Sequence, residues 1–243
     1  MKPHFRATTK LLVATGLLLL VSGRVVADVL DQTKNVGGTT VHYKVVLPNG
    51  FDPGKAYPGV LAFPGGAQDM DTVDRTLERN WRAEAERRGY IVVIPAAPDG
   101  VLFFEGGEKI FPEFITQILA TYKIQDNKFH IAGVSNGGIS AFHIAASYPQ
   151  YFLSVTGFPG YLPGATPARV RSLAKMCINL HVGELDMDWL QGVYLMSVQF
   201  RDQAIRVRFT VEKGQHHRLE TFENEGAARL FNQFEEARHG CGK

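Results

Sequence analysis

The chain has 243 residues, of which 45% are hydrophobic and 21% charged, with a formal net charge of +2. That length suffices for one domain with a sizeable core, and a balance so near neutral gives no electrostatic support to a nucleic-acid partner. No Cys-x-x-Cys or His-x-x-x-His spacing occurs, so a structural zinc site has no support, and no metal or cofactor is expected.

The first residues carry Lys2, Arg6 and Lys10, then an apolar run from Leu11 to Val21, then Val25-Val26-Ala27. This order of charge, apolar core and small residues predicts a secretory leader over residues 1–27, removed after Ala27. The apolar run is shorter than the roughly 20 residues a spanning helix needs, so no membrane association is expected once the leader is gone. Its removal takes four basic residues and no acid, leaving 22 basic against 24 acidic side chains, a formal charge of −2. The reading is therefore a secreted or periplasmic single domain over 28–243. In such a compartment a disulfide persists. Cys177 and Cys241 are the two cysteines, and their pairing would tie the C-terminal tail to a core strand. The alternative is that Cys177 is a small buried hydrophobe.

Val41, Tyr43, Val45 and Leu47 alternate along Thr39–Leu47 after Gly37-Gly38, which predicts early antiparallel strands joined by a tight turn. Short apolar runs then predict buried strands at Gly59–Phe63 and Tyr90–Ile94. Between them Val73, Leu77, Trp81 and Ala85 recur every fourth residue, predicting a helix that Gly89 ends. Phe129–Ala132 is a strand before the helical stretch Ile139–Tyr148. Strands are expected again at Ser154–Phe158 and Cys177–Val182, with Thr166-Pro167 opening the helix between them. Arg206–Glu212 reads as a strand nearer the edge, with Val207, Phe209 and Val211 inward. A last helix spans about Ala227–His239, burying Leu230, Phe231 and Phe234. This alternation predicts an α/β fold with a mostly parallel sheet, an antiparallel start and helices on both faces.

Four predicted strand ends carry residues able to do chemistry, and ligands of such sheets gather outside those ends. The first is followed by Pro64-Gly65-Gly66-Ala67-Gln68, whose glycines can turn N–H groups toward one point. The second runs into Gly133-Val134-Ser135-Asn136-Gly137-Gly138, a strand, sharp turn and helix that lifts a serine hydroxyl into the open. Asp186 follows the third in Gly183-Glu184-Leu185-Asp186. His217 follows the fourth in Gly214-Gln215-His216-His217. Asp188 competes with Asp186 but reads better as the N-cap of a helix over Leu190–Gln203. His216 competes with His217, and neighbouring side chains cannot easily both face the serine. His143 and His181 read as structural. His42, His130 and His239 fall to surface positions by default.

The order Ser135, Asp186, His217, each after its own strand, resembles the α/β-hydrolase family across essentially the whole mature chain. It looks most like the small secreted esterases grouped with polyhydroxybutyrate depolymerases and feruloyl esterases. The resemblance implies Ser135 as nucleophile, His217 as base and Asp186 as its orienting acid. The oxyanion would be met by the N–H of Asn136 and one from Gly66 or Ala67. It implies a small-molecule or polymeric ester as substrate. Where family members often have His-Gly in the first loop, this chain has Pro64-Gly65, so an imidazole brace is missing. Phe104, Tyr161 and Trp189 are candidates to wall an acyl or aryl pocket, or else simply fill space under the loops. Two rival functions stand beside the esterase. One is a serine exopeptidase, for which Glu105 and Glu108 are the only groups placed to hold a peptide terminus. The other is a non-catalytic binding protein on the same fold.

Overall fold

A computed structural model describes residues 29–241 of the chain, and the leader expected over 1–27 lies outside them. Strands β1 (Val29–Val36) and β2 (Thr39–Val46) form an antiparallel hairpin. Gly37 and Gly38 close it at φ of 56° and 88°, the left-handed backbone that a two-residue turn between twisted strands demands. Six further strands follow: β3 (Tyr57–Phe63), β4 (Ile91–Pro95), β5 (Ile124–Gly133), β6 (Phe152–Gly157), β7 (Cys177–Gly183) and β8 (Val207–Glu212). They join β1 and β2 in one sheet of order β1-β2-β4-β3-β5-β6-β7-β8. β2 meets β4 antiparallel, and every later pairing is parallel.

Side chains along the central strands alternate between two cores, one on each face. Leu61, Phe63, Ile91, Val93, Phe129 and Ile131 point to one. There they meet α3 (Phe111–Thr121), α4 (Asn136–Ser147), α5 (Pro167–Ser172) and α6 (Met187–Asp202). Val60, Ala62, Val92, Ile94 and Ala132 point to the other, covered by α1 (Met70–Thr76), α2 (Arg82–Arg88) and α7 (Ala228–Arg238). Each large side chain buried this way stabilises by about 1.5–3 kcal/mol relative to an exposed one. Trp81 anchors the second core, its ring within 5.7–6.5 Å of Phe158, Phe231 and Phe234.

Four expectations need correction. The helix expected as one piece through Val73 and Ala85 contains a wide π turn at Leu77–Trp81 between α1 and α2. Strict four-residue spacing advances faster than a 3.6-residue turn, and the wider turn brings Val73, Leu77, Trp81 and Ala85 back to one buried face. His130 is fully buried, because β5 is a central strand covered on both sides; its ring stacks on Phe234 at 4.8 Å and its Nδ1 lies 2.8 Å from Ser154 Oγ. Val211 is 43% exposed, since β8 is an edge strand, and Glu212 is buried in its place. Asp188 is not the N-cap of α6: the helix starts at Met187 with Asp186 at the cap position, and Asp188 lies in its first turn. The expected caps at Thr166, which accepts from the Arg169 N–H, and at Gly89, with φ 78°, are both present. Cys177 and Cys241 form a disulfide that fastens the end of the chain to β7.

Candidate active site

β5 ends at Gly133, and the chain reverses through Ser135 into α4 within three residues. Ser135 sits at φ 58°, ψ −126°, a strained conformation that persists only where its surroundings hold it. Those surroundings are packed backbone. A Cβ on Gly133 would lie 2.2 Å from the Gly137 carbonyl oxygen, and one on Gly137 would lie 2.3 Å from that of Phe63. Only glycine lets α4 start so close to β5 and β3. The Ser135 N–H donates to the Pro159 carbonyl at 2.8 Å, which pins the turn from below.

The loops after β7 and β8 are laced together. Glu184 N–H donates to the Glu212 carbonyl at 2.9 Å, Leu185 N–H to that of Gln215 at 2.8 Å, and Gly214 N–H to Glu184 Oε2 at 2.8 Å. Below them, Glu212 receives both Arg229 guanidinium nitrogens at 2.9 Å and hydroxyls from Thr210 and Thr221 at 2.9 and 3.0 Å. Burial pushes the Glu212 carboxyl up, but these donors outweigh it and hold it down at about 2.

This lacing brings Asp186 against His217 and His217 against Ser135. His217 Nδ1 lies 2.8 Å from Asp186 Oδ2, and its Nε2 lies 2.8 Å from Ser135 Oγ. An ionised carboxylate can only accept, so Nδ1 carries the proton and Nε2 is left to accept from the serine hydroxyl. Asp186 is buried, 8% exposed at its side chain, while the His217 ring remains 43% exposed. His216 is exposed and takes no part.

On the other side of Ser135, the Pro64–Gln68 loop turns over the start of α4. Gly66 holds φ 62° and its carbonyl accepts from Asn136 Nδ2 at 3.0 Å. The N–H groups of Gly66, Ala67 and Asn136 donate to no protein acceptor among the described residues. Gln68 braces this loop where the chain has no imidazole. Completely buried, its Nε2 donates to the Pro64 carbonyl (3.3 Å) and to Ser140 Oγ (3.0 Å), while its Oε1 accepts from the Phe103 N–H (3.2 Å). The signal for Gln68 was its place four residues after Pro64, within reach of that carbonyl.

A cavity of about 400 Å³ opens beside Ser135 and His217. Its wall includes Phe158 and, less expectedly, Arg75, Arg79, Arg218 and Glu223. Arg75 and Arg79 read in sequence as outer positions of an amphipathic helix, and nothing local marked them as site residues. Trp189 packs on the His217 ring at 5.0 Å and on Tyr161 at 5.6 Å, beside His217 rather than in the cavity wall. Phe104 is half-buried in the loop after β4 and also lies outside that wall.

No family model matches the sequence, and no curated protein matches it. Solved structures do. The chain is similar to a ferulic acid esterase at 18% identity and TM-score 0.66, covering 89% of this chain and 99% of that one. It is similar to an S-formylglutathione hydrolase from Agrobacterium tumefaciens at 16% identity and TM-score 0.66, covering 90% and 99%. The chain has the α/β-hydrolase fold. The same fold accounts for a likeness to a structure from Bacteroides ovatus named for a dipeptidyl aminopeptidase IV. That match has 16% identity and TM-score 0.70, with 86% of this chain but only 36% of the other covered. Within the α/β-hydrolase fold, the site described above lies where ligands of such sheets gather, outside the carboxyl ends of β3, β5, β7 and β8.

Proposed function

We propose that this protein is a serine hydrolase that cleaves carboxylic esters through a covalent acyl-enzyme. The observation that carries the reading is the continuous chain of hydrogen-bond distances from Asp186 through His217 to Ser135, 2.8 Å at each link. Ser135 Oγ attacks the ester carbonyl while His217 Nε2 takes its proton, and the tetrahedral oxyanion is met by the Asn136 N–H and one from Gly66 or Ala67. His217 then returns the proton to the departing alcohol, and water repeats the sequence to free the acid. Asp186 holds the imidazole in the tautomer this requires and stabilises it when charged. The names of the similar structures, an esterase and a hydrolase, support the class. The leader-like segment 1–27, together with a disulfide, supports action outside the cytoplasm.

Replacement Asp186→Asn tests the assigned roles. It leaves the hydrogen-bond geometry available but favours the wrong tautomer, so kcat on a p-nitrophenyl ester is expected to fall by about 10⁴ with little change in KM. An unchanged kcat would remove Asp186 from the role. The fold also serves peptidases, and the same chemistry opens amides. Parallel assays with an aminoacyl anilide separate the two, and the ester is expected to be the faster substrate.

A further inference from the structure

We infer that the cavity beside Ser135 selects esters carrying an oxyanion, a carboxylate or phosphate on either half of the ester, through Arg75, Arg79 and Arg218. The inference rests on the esterase reading above and adds a substrate class to it. The lining of this one cavity brings Ser135, Gly66 and His217 together with the three arginines and a single acid, Glu223. An ester seated for attack on Ser135 thus shares its cavity with guanidinium groups.

Glu223 does not cancel this charge. Its side chain is only 6% exposed and is engaged by Arg218, whose Nε lies 2.8 and 2.9 Å from the two carboxylate oxygens and whose Nη2 also contacts Oε2. Arg79 Nη1 stands off at 3.5 Å from Glu223 Oε1. Glu223 therefore neutralises about one arginine and orients two, leaving a positive wall. Arg75 forms no ion pair among the described residues. It stands four residues before Arg79, which lies in the wide turn Leu77–Trp81. The local positive charge is not borrowed from a basic surface, because residues 28–243 carry a formal charge of −2. Guanidinium groups collected in a concave wall attract oxyanions from a distance and hold them by charge-assisted, often bidentate, hydrogen bonds.

The test compares matched esters. On the acid side the pair is the mono-4-nitrophenyl ester of hexanedioic acid against 4-nitrophenyl hexanoate. On the alcohol side it is 4-carboxyphenyl butyrate against 4-carbamoylphenyl butyrate, with each rate corrected for spontaneous hydrolysis. The wild-type protein is expected to favour the charged member of at least one pair by about tenfold in kcat/KM, mostly through KM. Which pair responds tells which half of the ester faces the arginines. In Arg75→Gln/Arg79→Gln that ratio is expected to fall to within about twofold, and raising salt from about 0.02 to 0.5 M erodes it in the wild type. If the double variant does not fold, Arg75→Gln alone serves, with a partial loss of the ratio. Equal kcat/KM within both pairs, or a preference untouched by the substitutions, overturns the proposal and leaves the esterase reading standing. Failure of the wild type to turn over any of the four, with no labelling of Ser135, overturns both.

Discussion

Gln68 is completely buried, yet both ends of its amide are engaged. Replacing it with alanine would strand the Pro64 carbonyl and the Phe103 N–H in a dry interior and leave Ser140 without its partner. Gln68→Ala is expected to cost about 1–3 kcal/mol in urea-denaturation experiments. Because the same residue braces the Gly66-Ala67 turn, kcat on a p-nitrophenyl ester should fall more than KM rises; a stability loss with unchanged kcat would separate Gln68 from the proposed oxyanion role of that loop. Ser135, Asp186 and His217, which the fold brings into one chain of hydrogen-bond distances, could be singled out in the sequence because glycine-marked turns after predicted strands are local signals. For Gln68 only the reach to the Pro64 carbonyl was local, its other partners Ser140 and Phe103 lying across the fold, and nothing local placed Arg75 and Arg79 in the cavity wall.

The strand-end loops act as elements rather than as separate residues. Gly183 ends β7, and a Cβ there would lie 2.1 Å from the His216 carbonyl oxygen and 2.4 Å from that of Gln215. Gly183→Ala must therefore push the histidine loop away from the Asp186 loop. A displacement near 1 Å at a catalytic group costs on the order of a hundredfold, so kcat should drop by about that much while the circular-dichroism spectrum stays native. Retained activity would mean that the loop tolerates the shift. Element by element, the hydrophobic period located the strands, the hairpin and α7. It did not show the π turn at Leu77–Trp81, since four-residue spacing is compatible with either winding until Trp81 is seen packed in the core. Nor did it place His130, whose burial is decided by β5 being central in the sheet order.

Across the whole molecule, two buried histidines set how stability responds to acid. Burial pushes His130 down to about 3 and His181 down to about 4, from an ordinary value of 6.5. Below 6.5 the unfolded chain takes up protons that the folded one refuses, so stability is complete above that pH and declines as the pH falls toward these values. Each histidine contributes a slope of about 1.4 kcal/mol per pH unit in that window. The urea midpoint should fall between pH 7 and pH 5, and an unchanged midpoint would contradict the burial of both rings as neutral groups. The central claim, that the molecule presents one activated serine, is read most directly from the mass of the intact protein after exposure to a fluorophosphonate. The account predicts one adduct per chain, mapped to the peptide containing Ser135 and absent from Ser135→Ala; labelling that persists in that variant, or a wild-type chain that takes no label, would contradict it.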